Sequence, residues 1–440
     1  MTSSTFRDVQ NALPASGRPK AWSLVAIATL GVATAFVGLA GCDKLPTASE
    51  LINGKKKEAP PPPTAAKTPA ETQPAAPPPK APEPPKKTPQ EVLAEFRATP
   101  TERRTDAQLR ELASTSDATD QFTELNLSFS GVGDKGMAVL PKFERVEKLS
   151  IDGCHYGNDA LADVAKMKNL TSLSMVGGAI NDPGCDKALS YVKEMHQLTS
   201  LTVQHANFTQ EGLNKLGDMA GLETLNVAET RFNDENLKAL APLTNLKELN
   251  LSHTGISDAG FRYLLPFREL EVLKIAGLAD QYAIFRGPGL KELGRRKGLP
   301  KLRVLIMYNN PNILLSAYEG IYFYRQTLET LDVGNAALDD DRFIHVVATL
   351  GKLETLTVHQ NPGLTDNGLV ALPKLKKLKR LFFQENRGVS DRSLPQFAKL
   401  RSLESLTLDS TNCTEAGVRQ LKKKLKNCEI SYNGKKIEIE

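Results

Sequence analysis

One short unit recurs along most of this chain, and its periodicity constrains the fold more than any other feature of the sequence. Residues 246–264, LKELNLSHTGISDAGFRYL, show the unit clearly. Leu246, Leu249 and Leu251 predict a short strand that keeps alternate side chains inside. The chain is expected to turn directly after this strand and to enter a helix.

The second half of the unit predicts that helix. Asp258 is expected to cap it, and Phe261, Leu264 and Leu265 are expected to face inward. One strand and one helix cannot bury both of their apolar faces alone, so each unit requires a stacked copy on either side. The chain is therefore expected to form a solenoid, which grows by adding coils rather than by enlarging one core.

Twelve copies of the unit follow one another over residues 122–427. They begin at Phe122, Val146, Leu170, Leu198, Leu222, Leu246, Leu270, Leu302, Leu328, Leu353, Leu378 and Leu403, with spacings of 24, 24, 28, 24, 24, 24, 32, 26, 25, 25 and 25 residues. The stretches LETLNVAET, LKELNLSHT and LETLTVHQN share an L-x-x-L-x-L skeleton that ends in Thr or Asn. This skeleton resembles the leucine-rich repeat family, and the short ISDAGFRYL-type second half is similar to its cysteine-containing and ribonuclease-inhibitor-like subclasses.

The resemblance covers about residues 105–440 and implies an α/β fold. It implies a horseshoe-shaped leucine-rich repeat solenoid, with a parallel sheet on the concave face and helices on the convex face. Residues 90–121 predict a helical cap, because 89–96 and 105–112 both have an apolar helical face. Residues 428–440 predict a C-terminal cap that begins with a thirteenth strand.

A different kind of segment precedes the repeats. Residues 21–40 are uncharged and mostly apolar, and such a run is long enough to cross a bilayer as a helix. The run ends in LAGC at Cys42, which resembles the lipobox of bacterial lipoproteins and implies a signal peptide over residues 1–41 and a lipid on Cys42. An uncleaved signal anchor is the alternative. Both interpretations place the repeats on the periplasmic or cell-surface side of a membrane.

The segment between the membrane signal and the repeats is rich in proline. Thirteen of the 27 prolines lie between Pro60 and Pro89, interleaved with Ala, Lys and Thr. A segment of this composition has little to bury and favours an extended conformation. Residues 42–89 are therefore predicted to be a disordered linker.

Four cysteines follow Cys42, and all align with inward positions of other repeats. They are Cys154, Cys185, Cys413 and Cys428. Because free cysteine packs as a small hydrophobic residue, we expect four buried thiols. A disulfide between Cys413 and Cys428 is the alternative that an exported protein allows.

Three polar residues occupy the same outward position, just after the strand, in consecutive repeats. His205, Glu229 and His253 are expected to form a column, because neighbouring strands lie ~4.8 Å apart. Two imidazoles around a carboxylate could hold a metal ion or a shared proton. The alternative is a solvated polar column. No nucleophile, phosphate-binding loop or carboxylate pair accompanies it, so the sequence predicts neither an enzyme nor a cofactor.

The middle outward position of each strand defines the surface of the predicted concave face. These residues are Asn126, Ser150, Ser174, Thr202, Asn226, Asn250, Lys274, Ile306, Asp332, Thr357, Phe382 and Thr407. Small hydroxyl and amide side chains dominate, and Ile306 and Phe382 are the apolar exceptions.

The long seventh and eighth repeats add tyrosines near the same strands. Ile306 and Phe382, together with Tyr308, Tyr318, Tyr322 and Tyr324, therefore predict one partner-binding surface, since aromatic residues dominate interface hot spots. The alternative is that the irregular segments of these repeats fold back over their own coils.

Charge adds little to this interpretation. The formal net charge is +5, and the basic runs, such as Lys422–Lys424, alternate with inward leucines, so no nucleic-acid partner is expected. The sequence favours a membrane-anchored, non-catalytic module outside the cytoplasm that binds a protein partner of unknown identity. A scaffold or adaptor protein and a binder of envelope polysaccharide remain as alternatives.

Overall fold

A computed structural model describes residues 87–438 apart from residues 178–185 and 279–284. The predicted signal peptide over residues 1–41, Cys42 and nearly all of the predicted linker lie outside the described residues. None of the helices within the described ranges is both long enough and apolar enough to cross a membrane.

One sheet runs through all the coils, with its strands in the order of the chain. Strands β1 to β14 are Glu124–Asn126, Lys148–Ser150, Ser172–Ser174, Ser200–Thr202, Thr224–Asn226, Glu248–Asn250, Val272–Lys274, Val304–Ile306, Thr330–Asp332, Thr355–His359, Arg380–Gln384, Ser405–Thr407, Glu429–Tyr432 and Lys435–Lys436. The first thirteen strands pair in parallel, and β14 folds back antiparallel on β13. This final hairpin extends the predicted thirteenth strand.

The return segment of each coil is helical but short. The α-helices are Pro89–Ala98, Asp106–Leu112, Ser116–Thr119, Asp134–Met137, Leu161–Val164, Asp186–Val192, Gln210–Asn214, Asp234–Ala239, Pro288–Arg295, Leu315–Tyr322, Asp340–His345, Leu394–Phe397 and Glu415–Lys424. Segments of 3₁₀-helix are Thr101–Arg103, Leu140–Lys142, Asn158–Ala160, Lys215–Asp218, Gly260–Leu264, Val347–Thr349, Gly368–Lys374 and Asp391–Ser393. A coil of about two dozen residues leaves room for only one or two helical turns after its strand.

The strand register follows the repeat register. Asn226 in β5 pairs with Asn250 in β6, and Leu225 pairs with Leu249. Because equivalent residues pair in every coil, each inward leucine stacks on the leucine of the next coil. The predicted inward positions are confirmed, since Leu249, Phe261 and Leu264 have no exposed surface. The core is a continuous apolar column between the sheet and the helices.

Asp258 does not cap its own helical segment, which corrects the prediction from the sequence. Residues Gly260–Leu264 form a 3₁₀-helix without a side-chain cap. The Asp258 carboxylate instead accepts hydrogen bonds from the backbone amides of Arg286, Gly287 and Gly289 on the next coil, at 2.8–2.9 Å. The next coil supplies free amides at the start of its helix, and a carboxylate one coil away satisfies them.

The same link recurs along the solenoid. Asp234 accepts from the Ser257 amide at 2.9 Å and from the Ser257 hydroxyl at 2.5 Å. A Cβ atom at Gly260 would collide with that Asp234 carboxylate, so only glycine fits there. A glycine recurs two residues after the aspartate in the second half of the repeats, as in SDAG at residues 257–260. The aspartate side chain of the preceding coil requires this glycine.

The N-terminal helices continue this arrangement before the first strand. Helix Asp106–Leu112 begins with a capping box at Thr105, and its Asp106 carboxylate accepts from the Gly133 amide at 2.7 Å. This segment therefore acts as the second half of a coil that lacks its strand. Phe96 of the first helix is buried edge-on against Phe122, at a ring-centroid distance of 5.9 Å.

Three of the four predicted core cysteines lie within the described residues, and all three are buried thiols. Cys154, Cys413 and Cys428 are each less than 5% exposed. Burial raises the pKa of the Cys413 thiol to about 11 and that of the Cys428 thiol to about 12. These thiols are therefore packing groups with little thiolate character at neutral pH. Cys185 lies outside the described residues.

Candidate functional site

The outward position after each strand has a left-handed backbone in every coil that the structure describes there. The residues with positive φ at this position are Phe129, Gly153, Gly177, His205, Glu229, His253, Gly277, Asn309, Asn335, Gln360, Glu385, Ser410 and Asn433. The His205 amide donates to the Ala228 carbonyl of the next coil at 3.2 Å, and the equivalent amides from Phe129 to Glu385 also donate to a carbonyl of the next coil. This conformation explains why Gly and Asn recur here, since they tolerate positive φ best.

The predicted column of His205, Glu229 and His253 forms only in part. His205 Nε2 lies 2.8 Å from Glu229 Oε2, and the Gln204 side-chain amide donates to Glu229 Oε1 at 2.8 Å. His253 instead packs over Gly277 of the following coil. Both Glu229 oxygens are thus engaged by the fourth coil, and His253 does not complete a ligand set.

A shallow surface depression is lined by these three residues. Among the described residues, no group of His, Cys, Asp or Glu side chains is arranged to hold a metal ion. The metal interpretation of the column is therefore corrected, because His253 leans away from the hydrogen-bonded pair of His205 and Glu229. What remains is a partly exposed hydrogen-bonded pair at the rim of the sheet.

Two residues of the predicted aromatic surface belong to the core, which corrects their assignment to partner binding. Tyr318 has no exposed surface, and its hydroxyl donates to the Ala336 carbonyl at 2.8 Å. Tyr324 is 4% exposed. Both side chains pack in the interior of the eighth coil instead. Phe285 is also buried, stacked on Phe261 at a centroid distance of 4.9 Å.

Tyr322 is exposed, but it lies on the helical side of the solenoid. It ends the helix Leu315–Tyr322, and the Arg325 guanidinium lies 4.4 Å from its ring centroid. It therefore does not join the residues on the strands. Tyr282, from the same irregular part of the sequence, lies outside the described residues.

Ile306, Tyr308 and Phe382 remain on the concave face, where each is half-buried. Ile306 is in β8 and Phe382 is in β11, with one residue of β9 and one of β10 in register between them. Those two residues are Asp332 and Thr357. We define the concave surface formed by Ile306, Tyr308, Asp332, His359 and Phe382 as the Asp332 surface.

Asp332 is 5% exposed, although its position in the repeat predicts an exposed side chain. Strands in register lie ~4.8 Å apart, so large neighbours shield a short side chain between them. The Gly334 amide donates to Asp332 Oδ1 at 3.0 Å. Burial raises the pKa of Asp332 to about 7, against the opposing effect of that amide.

An aromatic pair lies beside this carboxylate. The next outward residue of the ninth coil is Gly334, and the His359 ring of the tenth coil occupies the space where a side chain at Gly334 would lie. This brings His359 to the Tyr308 ring of the eighth coil, at a centroid distance of 6.4 Å. Burial lowers the pKa of His359, although the Glu385 charge opposes this shift, so the neutral imidazole is favoured.

Three further residues extend the surface toward the strand starts. The Thr330 hydroxyl is buried and has no hydrogen-bond partner. The Arg380 guanidinium donates from Nε to the Thr355 hydroxyl at 3.1 Å, and its Nη2 is buried without a hydrogen-bond partner. The described residues therefore include no cation that forms an ion pair with Asp332.

Sequence reasoning identified the apolar members of this surface but not its acid. Asp332 is the only acidic residue among the middle outward positions, and Gly334 is the glycine that lets a neighbouring ring lie beside it. Those two signals together could have identified the site. The burial of the carboxylate depends on residues one coil away on each side.

Comparisons with known proteins agree with this architecture. The Leucine Rich repeat family model matches residues 122–140 and 243–265, and no curated protein matches the chain. The crystal structure of an internalin from Listeria monocytogenes is similar at a TM-score of 0.50 and 19% identity, covering 74% of this chain and 93% of that one. A leucine-rich repeat protein from Leptospira interrogans has a TM-score of 0.41 and 14% identity, with 73% and 91% covered.

The similarity to the internalin structure is evidence for the fold alone, because the sequence identity is low. The chain has the α/β fold of a leucine-rich repeat solenoid, with a parallel sheet on one side and short helices on the other.

Proposed function

We propose that this leucine-rich repeat solenoid is a non-catalytic protein-binding module that recognises its partner at the Asp332 surface. The observation that carries the proposal is the half-buried set of Ile306, Tyr308 and Phe382 on strands whose other outward residues are mostly small and polar. A coil closes its core without these side chains on the outside. Their cost in solubility is offset when a partner covers them.

The fold supports this class of function. Leucine-rich repeat solenoids typically serve as binding scaffolds, and stacked strands present a continuous surface for contact with another protein. We further propose that the module is tethered outside the cytoplasm through its N-terminal segment. The uncharged run over residues 21–40 and the LAGC sequence ending at Cys42 support this tether.

The test is proximity labelling by the full-length chain fused at its C-terminus to a peroxidase, in its native host. We expect Tyr308→Ala and Phe382→Ala each to reduce labelling of a specific partner at least about fivefold, since truncation of a hot-spot aromatic costs about 1–3 kcal/mol of binding. Thermal midpoints should change little, because neither side chain is part of the sealed core.

Two controls isolate the concave face. Tyr322→Ala removes an exposed tyrosine from the helical side and should leave labelling unchanged. Ser172→Ala with Ser200→Ala alters the polar strands of the third and fourth coils and should also be neutral. Asn226 and Asn250 would be poorer controls, because their side chains accept backbone amide hydrogens. Labelling that depends on Tyr322 but not on Tyr308 or Phe382 would contradict the proposal.

A further inference from the structure

We propose that Asp332 is an anchor for a single lysine or arginine side chain of the protein partner, held beside Tyr308 and His359. This inference rests on the proposed function and deepens it by specifying the chemistry of the partner. It depends on three features of the Asp332 surface: a buried carboxylate without a counter-ion, an aromatic rim, and an unpartnered hydroxyl.

The carboxylate is the first feature. Asp332 is 5% exposed and accepts one hydrogen bond, from the Gly334 amide at 3.0 Å. An ionised carboxylate offers about four lone-pair positions, so most of its capacity is unused by the described residues. Burial of a charge without a partner opposes folding, and such groups are concentrated at functional sites. A cation from another molecule would supply the missing charge and donors.

The rim of the surface matches the rest of a cationic side chain. Lysine and arginine carry apolar stems that pack along hydrophobic surface while their charged ends reach a polar partner. Ile306 and Phe382 provide apolar surface on either side of Asp332, one and two strands away. The Tyr308 ring attracts a cation through its π face.

The Thr330 hydroxyl is the independent sign of a missing ligand. It is buried on the same face of the same strand as Asp332, two residues away, and it has no partner. An ammonium group carries three N–H donors and a guanidinium group carries five. Either group can therefore donate to a carboxylate and to a hydroxyl at the same time. The solenoid's own nearby cation, Arg380, forms no ion pair with Asp332 within the described residues. Its Nε donates to Thr355, and its Nη2 is buried without a partner.

A cation fits better than the other ligands of a carboxylate. A divalent metal ion prefers several oxygen ligands, whereas the Asp332 surface offers one carboxylate, and no metal-binding group occurs within the described residues. An anionic partner would be repelled by the ionised Asp332. The surface therefore selects a single organic cation on an amphipathic stem.

The experiment uses the full-length chain in detergent micelles and a phage-displayed library of random dodecapeptides, selected at pH 8. We expect the enriched peptides to share a lysine or arginine. Replacement of that lysine by norleucine, which keeps the stem and removes the charge, should weaken binding about tenfold or more. The variant Asp332→Asn should bind the parent peptide about tenfold more weakly and should no longer distinguish the two peptides.

A matched control is Glu248→Gln, which also turns an acid on the concave face into its amide. Glu248 is already paired with Lys274 at 2.6 Å, so its replacement should leave peptide affinity unchanged. The thermal midpoint of each variant reports on folding, and Asp332→Asn should remain folded because an amide oxygen can keep the Gly334 hydrogen bond.

The outcomes separate the anchor from the binding face. If peptide binding is lost in Phe382→Ala but is unchanged in Asp332→Asn, or is insensitive to norleucine, the concave face binds and the cation anchor is wrong. If no selected peptide depends on Phe382 or Tyr308, both the anchor and the proposed function are wrong. Equal loss in Asp332→Asn and Glu248→Gln would show a general charge effect and would also overturn the anchor.

Discussion

At the scale of single residues, burial of the Asp332 carboxylate opposes folding, but the carboxylate keeps acceptor positions that a ligand can use. Asp332 lies on the ninth coil, between Tyr308 of the eighth coil and His359 of the tenth, and the Arg380 guanidinium of the eleventh coil donates from Nε to Thr355. Because burial raises its pKa to about 7, the folded chain retains a proton that the unfolded chain has already released. Because Asp332 weakens folding at neutral pH, we expect this residue to serve binding rather than stability.

This residue makes a prediction about pH and stability. The folded-state pKa of Asp332 lies above its unfolded value, so its contribution to stability falls as pH rises from about 4 to about 7. We expect Asp332→Asn to be more stable than the wild type by about 1–3 kcal/mol at pH 8, with little difference near pH 4. Chemical denaturation of both proteins across this range is the measurement. A constant difference between them would mean that the carboxylate is well solvated.

The buried cysteines make a second prediction at this scale. Cys154, Cys413 and Cys428 pack in the core as thiols, so a reductant should leave the thermal midpoint unchanged. Cys428→Ser should lower the free energy of unfolding by about 1–3 kcal/mol, because it buries a hydroxyl among apolar groups. A Cys413–Cys428 linked peptide in mass spectra, with a large fall in midpoint under dithiothreitol, would contradict this arrangement.

At the scale of secondary-structure elements, neighbouring coils are joined by side chains as well as by the sheet. The aspartate at the start of one helical segment bonds the backbone of the next coil, and a glycine of that coil leaves space for it. This link couples the two positions physically, although they are far apart in the sequence. The repeat pattern therefore records contacts between coils as well as folding within each coil.

The pair Asp234 and Gly260 provides a test of that coupling. Gly260→Ala should destabilise the wild type by about 1–3 kcal/mol, because its methyl group collides with the Asp234 carboxylate. Asp234→Ala should also destabilise, through loss of the hydrogen bonds to Ser257. The double variant should be more stable than the sum of the two losses predicts, by at least about 0.5 kcal/mol. Strict additivity in denaturation experiments would show that the glycine serves its own backbone alone.

At the scale of the whole molecule, residues that are close together in the sequence lie on two different faces of the solenoid. The strands of coils eight to eleven carry the Asp332 surface, and the helical side carries the exposed Tyr322 and Phe323. The proposed tether through the N-terminal segment would place the solenoid outside the cytoplasm. Membrane attachment is thus the property on which the proposed location depends.

The prediction for attachment concerns Cys42. If the LAGC sequence is a lipobox, Cys42→Ser should block both lipid addition and the accompanying cleavage after residue 41. Metabolic labelling with a fatty-acid analogue, read together with the mass of the mature chain, is the measurement. Equal labelling of the variant and the wild type would leave the uncleaved signal anchor as the interpretation.

The repeat sequence by itself determined the strands, their register and the inward leucines. Each of these follows from apolar periodicity within one coil and from the constant spacing of copies, and Leu249 and Phe261 lie where that reasoning placed them. The same reasoning identified Ile306, Tyr308 and Phe382 as outward residues. Local spacing is sufficient for these assignments, because it fixes which side of a strand or helix each residue occupies.

Only the tertiary structure decided which of the outward residues are accessible and what each polar group bonds. Tyr318 and Asp332 are buried because neighbouring coils cover them, and Asp258 bonds the next coil rather than its own helix. His253 leans toward the seventh coil and leaves the predicted column incomplete. These contacts join residues about one repeat or more apart, and their geometry depends on the size of the side chains in adjacent coils, which periodicity does not encode.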